Sequence, residues 1–225
     1  MSGDGAYLTF KDVMNKEEIK VILELGSRDG EDAIILRDYF DADLVVSFEC
    51  NPKAIERCQS RLKDEENILF VPLAVWHETE EITFYPVING NHGASSAFRA
   101  NKEYPYEQYK QSEIRVMATR LDEWWEKNMG DLKIDLICMD LQGAEMNAMI
   151  GMGDLLDQPR YVITECQFQR LYHDTPVYDD LEKHLSRYGF TGIEIRSSNS
   201  WFGDALFDKG HMRQSPRSCV RLMNE

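Results

Sequence analysis

The 225-residue sequence lacks several features that would point to other classes. It has no apolar run near the ~20 residues a membrane-crossing helix needs. Its start, MSGDGAYLTFKDVMNKEEIK, has no basic stretch leading into an apolar one, so no secretory signal is expected. The five cysteines (Cys50, Cys58, Cys138, Cys166, Cys219) are widely spaced with no C-x-x-C, which argues against a disulfide framework or a zinc site. Positive charge is also scarce. The 25 Lys and Arg against 40 Asp and Glu leave a net charge of -15, a poor match for a phosphate backbone. No internal repeat or low-complexity linker occurs. These absences lead us to expect a cytoplasmic protein with reduced thiols, one that does not engage membrane and is not built for nucleic acid.

What is present is an alternation. Short apolar runs, rich in β-branched and aromatic residues, predict strands at Val21–Leu25, Leu44–Phe48, Ile68–Val71, Ile134–Met139, Tyr161–Glu165, Phe190–Ile195 and near Ala205–Phe207. Helical patterns fall between them, at Glu31–Phe40, Pro52–Lys63, Leu121–Asn128, Glu145–Ile150 and Tyr178–Tyr188. Pro52 suits a first helical turn, and Gly189 suits a helix stop. Uniformly apolar strands separated by helices predict an α/β fold, a mostly parallel sheet covered on both faces. We expect one domain over 1–225. The alternation breaks at 74–120, which is polar and aromatic with one hairpin-like piece at Ile82–Val87, and an insertion or lid is expected at about 76–118.

In such a sheet, ligands bind beyond the carboxyl ends of the strands. The first strand ends in ELGSRDG, and a helix opens there with free N–H groups. The turn is not a dinucleotide fingerprint. Counted from Gly26, G-x-G-x-x-G would need glycine at Arg28 and Glu31. It reads instead as E-x-G-x-x-x-G, which resembles the first motif of class I S-adenosylmethionine-dependent methyltransferases. Glu49 ends the second strand 23 residues after Gly26, where a carboxylate can accept hydrogen bonds from both ribose hydroxyls.

Later segments narrow the resemblance. TRLDEWWEKN followed by KIDLICMDLQGAEMNAMIGM is similar to the FkbM-type methyltransferase family through Thr119, Leu121, Asp122, Asp140, Gly143, Glu145 and Gly151. FECNP, LFVPLAVWHETEEITFY, GASSAF and WFGDALF are similar to further family segments, so the likeness spans about residues 20 to 208. It implies a Rossmann-like class I methyltransferase fold, a seven-stranded sheet with one antiparallel strand near the C-terminus. It also implies O-methylation of a small-molecule or glycan hydroxyl. Glu24, Gly26, Ser27, Asp29, Gly30, Glu49, Cys50, Ala74, Val75 and Asp140 are then the expected cofactor residues. Two departures stand out. The first motif is ELGSRDG rather than the acidic-x-G-A-N-x-G form, and Gln142 replaces a usual Glu.

Methyl transfer to oxygen needs aligned reactants and often a base. Asp140, at the end of the fourth strand, is the central candidate, with Glu145, Glu165 and His173 as further ones. His173 is placed ahead of His92 as general base. Asp140 and Glu165 are also candidate ligands for a hard divalent ion such as Mg, although the metal-free reading is preferred. Trp76 is expected near the adenine or in the core, Ser95 and Ser96 near the acceptor, and Tyr104, Tyr106 and Tyr109 against a sugar ring or as lid anchors. The competing readings are a cofactor-binding or interaction module without turnover and, ranked lower, a nucleic-acid methyltransferase.

Overall fold

The computed structural model describes residues 6–105, 107–210 and 220–222; Tyr106, His211 and Cys219 lie outside them. Seven strands between Val21 and Asp208 form the main sheet. They are β1 (Val21–Leu25), β2 (Leu44–Phe48), β3 (Ile68–Val71), β7 (Leu136–Met139), β8 (Tyr161–Gln167), β9 (Thr191–Ser197) and β10 (Phe202–Asp208). A short β11 (Val220–Leu222) adds an eighth strand parallel to β9, giving the order β11-β9-β10-β8-β7-β1-β2-β3. Only β10 runs against its neighbours. The smaller sheet, β4 (Ala74–Trp76), β5 (Glu81–Phe84) and β6 (Ile114–Arg120), belongs to the 74–120 segment.

Strand parity divides the core. Val21, Leu23 and Leu25 face a cluster built with α3 (Leu121–Met129), α4 (Glu145–Met152) and α5 (Tyr178–Leu185). Ile22, Val45, Leu136 and Ile163 face a second cluster under α1 (Glu31–Phe40) and the short helical turn Ala6–Phe10. The helix α2 (Pro52–Leu62) begins with Pro52, and its cap residue Asn51 accepts a hydrogen bond from the Lys53 N–H at 3.3 Å. Of the adjacent tryptophans on α3, Trp125 is buried and donates to the Leu132 carbonyl, whereas Trp124 meets Phe48 edge-on at 5.0 Å.

The 74–120 segment differs from expectation in its pairing. Residues 81–84 do form a strand, but their partner is 114–117, some thirty residues on, rather than a local return. β4 then pairs parallel to the far half of β6 and packs on α4. Gly151 permits that packing, since a Cβ there would lie 2.0 Å from the Trp76 carbonyl oxygen. A Gly151→Ala variant should therefore lose about 3 kcal/mol of stability, because the obstructing atom is backbone and cannot swing aside. Urea unfolding measures this, and an unchanged midpoint would show that β4 does not rest on α4.

Glu24 shares its side of β1 with Ile22 and is fully buried. Both its carboxylate oxygens lack a hydrogen bond among the described residues, as do the hydroxyls of Ser27 and Ser47. Burial pushes its pKa up to about 7, moderated by the hydroxyl of Ser47 and, less, that of Ser27. Because this folded-state value lies above the ordinary 4.5, the folded chain holds the proton more tightly, and stability falls as pH rises from about 4.5 through about 7. In urea melts, Glu24→Gln should match the parent near pH 4.5. By pH 8 it should gain on the order of 3 kcal/mol over it. A difference that does not vary with pH would refute the buried-ionisation account.

Candidate active site

The carboxyl ends of β1, β2, β7 and β8 open into a cleft of about 210 Å³. Gly26, Phe48, Glu49, Asp140 and Glu165 contribute from the strand ends. The opposite side comes from the 74–120 segment through Ala74, Val75, Trp76, His92, Ser95 and Tyr109.

At one end the chain turns sharply after β1. Gly26 has φ +94°, and a Cβ there would sit 2.0 Å from the Asp140 carbonyl oxygen. The Gly26 and Ser27 N–H groups both donate to the Phe48 carbonyl, at 2.9 and 3.0 Å, which ties the turn to the end of β2. Arg28 follows in the left-handed region at φ +56°, an arrangement that costs a non-glycine residue about 1–3 kcal/mol. Its N–H donates to Glu49 Oε2 at 2.9 Å, and the N–H groups of Cys50 and Asn51 both donate to Oε1 at 2.7 Å. Burial raises the Glu49 pKa, and these three donors oppose the rise. An ionised carboxylate has about four acceptor positions, so capacity for a further donor remains. Beside it, burial pushes the Cys50 thiol well up, leaving a neutral wall rather than a nucleophile.

The ten expected cofactor residues divide at this point. Gly26, Glu49, Cys50, Ala74, Val75 and Asp140 line the cleft. Glu24, Ser27, Asp29 and Gly30 do not. Glu24 points into the core under α1, because strand parity sends it to the side of Ile22. Ser27 is buried, and its carbonyl accepts from the Gly30 N–H. Asp29 accepts from the Glu31 N–H and pairs with Arg61 at 3.4 Å. Gly30 caps α1 at φ +81°, with Leu62 where its Cβ would be. These four shape the turn from behind.

At the other end, Asp140 and Glu165 are joined by Gln142. The Gln142 Nε2 group donates to Asp140 Oδ1 at 2.6 Å and to Glu165 Oε2 at 2.7 Å, and its Oε1 accepts from the Tyr172 hydroxyl at 2.7 Å. Burial raises both acids. Glu165 rises well above its usual range, with the neighbouring Asp140 charge adding to the effect, while the Gln142 hydrogen bond and then the Arg28 charge restrain Asp140. Gln142 itself takes φ +53°, and its carbonyl accepts from the Ser96 hydroxyl at 2.7 Å. The divalent-ion reading fits poorly, since an amide aims its donors at both carboxylates. Among the described residues, no group of three or more His, Cys, Asp and Glu is placed to hold an ion.

Glu145 lies behind this cluster. It is buried, and its Oε1 accepts from the N–H groups of Leu141 and Gly143 at 2.9 and 3.2 Å, which braces the loop. His173 also leaves the site. It is exposed, and its N–H donates to the Arg99 carbonyl, while the preceding Tyr172 turns inward. His92 does line the cleft. Its Nδ1 lies 2.7 Å from the Val87 carbonyl, so Nδ1 is the donor in that bond and Nε2 is not engaged in it. Ser95 lines the cleft, and Ser96 is buried behind it. Tyr109 lines the cleft with its ring stacked on Tyr104 at 6.0 Å. Sequence reasoning missed Arg28, Arg57, Tyr172 and Phe202 as wall residues and did not see the bridging role of Gln142. Its only signal for Gln142 was the departure from the family's Glu.

Comparison with known proteins bears on the fold and the family. The Methyltransferase FkbM domain matches residues 24–191. The 2-O-methyltransferase NoeI of Sinorhizobium fredii is 32% identical over 161 residues, covering 68% of this chain and 65% of that protein, so under two thirds of the relative's length is spanned. Methyltransferase FkbM from Methylobacillus flagellatus superposes with a TM-score of 0.60 at 14% identity, over 87% of this chain and 45% of that one. Aeropyrum pernix fibrillarin, solved with natively bound S-adenosyl-L-methionine, gives 0.55 at 14% identity over 90% and 72%. These likenesses identify the fold as that of class I S-adenosylmethionine-dependent methyltransferases. With three quarters of its length inside the matched domain, the chain belongs to the FkbM methyltransferase family.

Proposed function

We propose that the protein is an S-adenosylmethionine-dependent O-methyltransferase acting on a hydroxyl of a small molecule or glycan. The observation that carries this reading is one cleft that holds both the Glu49 carboxylate and the Asp140–Gln142–Glu165 group. Family membership supports the cofactor, and the 2-O-methyltransferase relative supports oxygen as the acceptor atom.

When bound, S-adenosylmethionine supplies an electrophilic methyl group on a sulfonium. Glu49 is positioned to accept the ribose hydroxyls with its remaining capacity. Cys50, Ala74 and Val75 form the apolar side of the nucleoside pocket, with Trp76 beside them. Glu24, Ser27, Asp29 and Gly30 support the turn without touching the cofactor. The acceptor hydroxyl meets Asp140 and Glu165, which orient it. Asp140 or His92 Nε2 would take the hydroxyl's proton during transfer. Glu145 braces the loop that carries these groups. The 76–118 segment closes the acceptor side as a lid of the same domain.

Calorimetry with S-adenosylmethionine and its demethylated product tests the cofactor assignment, and binding of neither would overturn it. Glu49→Ala should weaken binding of both about tenfold or more, and unchanged affinity would remove its ribose role. Turnover against a panel of neutral sugar and small-molecule hydroxyls tests catalysis. Cofactor binding without methyl transfer to any of them would favour the non-catalytic binding module. Once an acceptor is found, His92→Gln should lower kcat about 10²-fold or more with little change in cofactor affinity, as expected for loss of a general base. An unchanged kcat would leave the proton to Asp140.

A further inference from the structure

We infer that Arg28 binds the carboxylate at the amino-acid end of the cofactor, an assignment that rests on the cofactor reading above. The cleft wall among the described residues carries two guanidinium groups, Arg28 and Arg57, and no lysine. Arg57 is committed in part to the Arg28 carbonyl, to which its Nη2 donates at 3.4 Å. The Arg28 guanidinium has no hydrogen bond or ion pair among the described residues, in a chain with 40 acidic residues.

Three further observations place this cation for a ligand. It lines the same cleft as Asp140, whose acidity its charge increases. Its stem passes the tip of the 91–93 loop, since a side chain added at Gly93 would come 3.6 Å from Arg28 Cδ. The backbone at Arg28 is left-handed at φ +56°, a conformation glycine takes without strain. The backbone therefore gives no reason for arginine at this position, whereas a carboxylate ligand would. A guanidinium offers paired parallel donors that match a carboxylate's two oxygens.

An anionic acceptor fits the same cation less well. The acceptor end carries Asp140 and Glu165, with Glu145 buried behind them and Asp204 close enough to raise Glu165 further. A second anion entering there would add to this crowd of buried acids, which already resist ionisation. The cofactor's own carboxylate is the anion that the proposed reaction always brings.

The test uses the full chain and two probes differing by one group, S-adenosylmethionine and decarboxylated S-adenosylmethionine. By calorimetry, the parent should prefer the carboxylated form about tenfold to a hundredfold. Arg28→Gly should lose that factor for S-adenosylmethionine and bind the decarboxylated form as the parent does. Arg28→Lys should fall between. Urea unfolding should find Arg28→Gly at least as stable as the parent, because glycine relaxes the turn, so its weaker binding cannot be a folding defect. Equal losses for both probes, or no loss for S-adenosylmethionine, would overturn the assignment while the cofactor reading stood. A parent that binds neither probe would overturn both.

Discussion

The close approach of Gly26 to the Asp140 carbonyl fixes where everything else in the site can stand. The two strand ends meet backbone to backbone, with no room for a side chain between them. The turn that results hands two N–H groups to the end of β2 and a third to Glu49. Main-chain hydrogen bonds thereby join β1 to β2, and the Asp140 N–H, donating to the Leu25 carbonyl, joins β7 to β1. The cleft is what remains above that junction. Its position follows from the fold's connectivity, as expected for ligand sites at the carboxyl edge of a parallel sheet.

Above the junction, the chemistry is governed by an excess of acid held away from water. Glu24, Glu145 and Asp204 are all pushed up to about 7, with burial the largest cause in each. Asp140 and Glu165 are raised as well, and of these five acids they are the two that line the cleft. A glutamate at position 142, as the family resemblance would have it, would add one more acceptor to this group. Gln142 supplies two donors instead, and Tyr172 holds the amide's oxygen so that those donors face the acids. The substitution is thus a local answer to the charge problem: a neutral group does the work of bringing two carboxylates together.

Much of this was readable beforehand where the signal is local. The apolar runs of β1, β2 and β3 fall on the residues expected: near-continuous burial in β1 and β2 leaves a plain pattern, and the edge strand β3 keeps an apolar run although Leu69 is exposed. The place of Glu49 beside the cleft was legible from its spacing to Gly26. The misses have a common cause in distance along the chain. Gln142 meets Tyr172 across 30 residues and Ser96 across 46, and no window of sequence contains those pairs. His173 was a near miss of one position, since the chain turns Tyr172 inward and its neighbour out. Glu24 was expected at the cofactor from its place in a motif, whereas its parity on β1 turns it to the core side with Ile22. The strand β6 did leave a trace, with Val116 and Ala118 buried and Arg115 and Met117 exposed, but its partner β5 lay too far away to be named.

The wall around the Asp140–Glu165 end of the cleft is sewn from two separate lengths of chain. Ala100 bridges to Tyr172, the N–H of Asn101 reaches the Leu171 carbonyl, and the N–H of His173 reaches the Arg99 carbonyl. Neither the 74–120 segment nor the loop after β8 is a self-contained module. Exchanging one of them with a relative, in order to redirect the protein toward a different acceptor, would leave half a seam with no matching edge. The unit of transplantation, and the unit on which divergence between relatives must act together, is the pair.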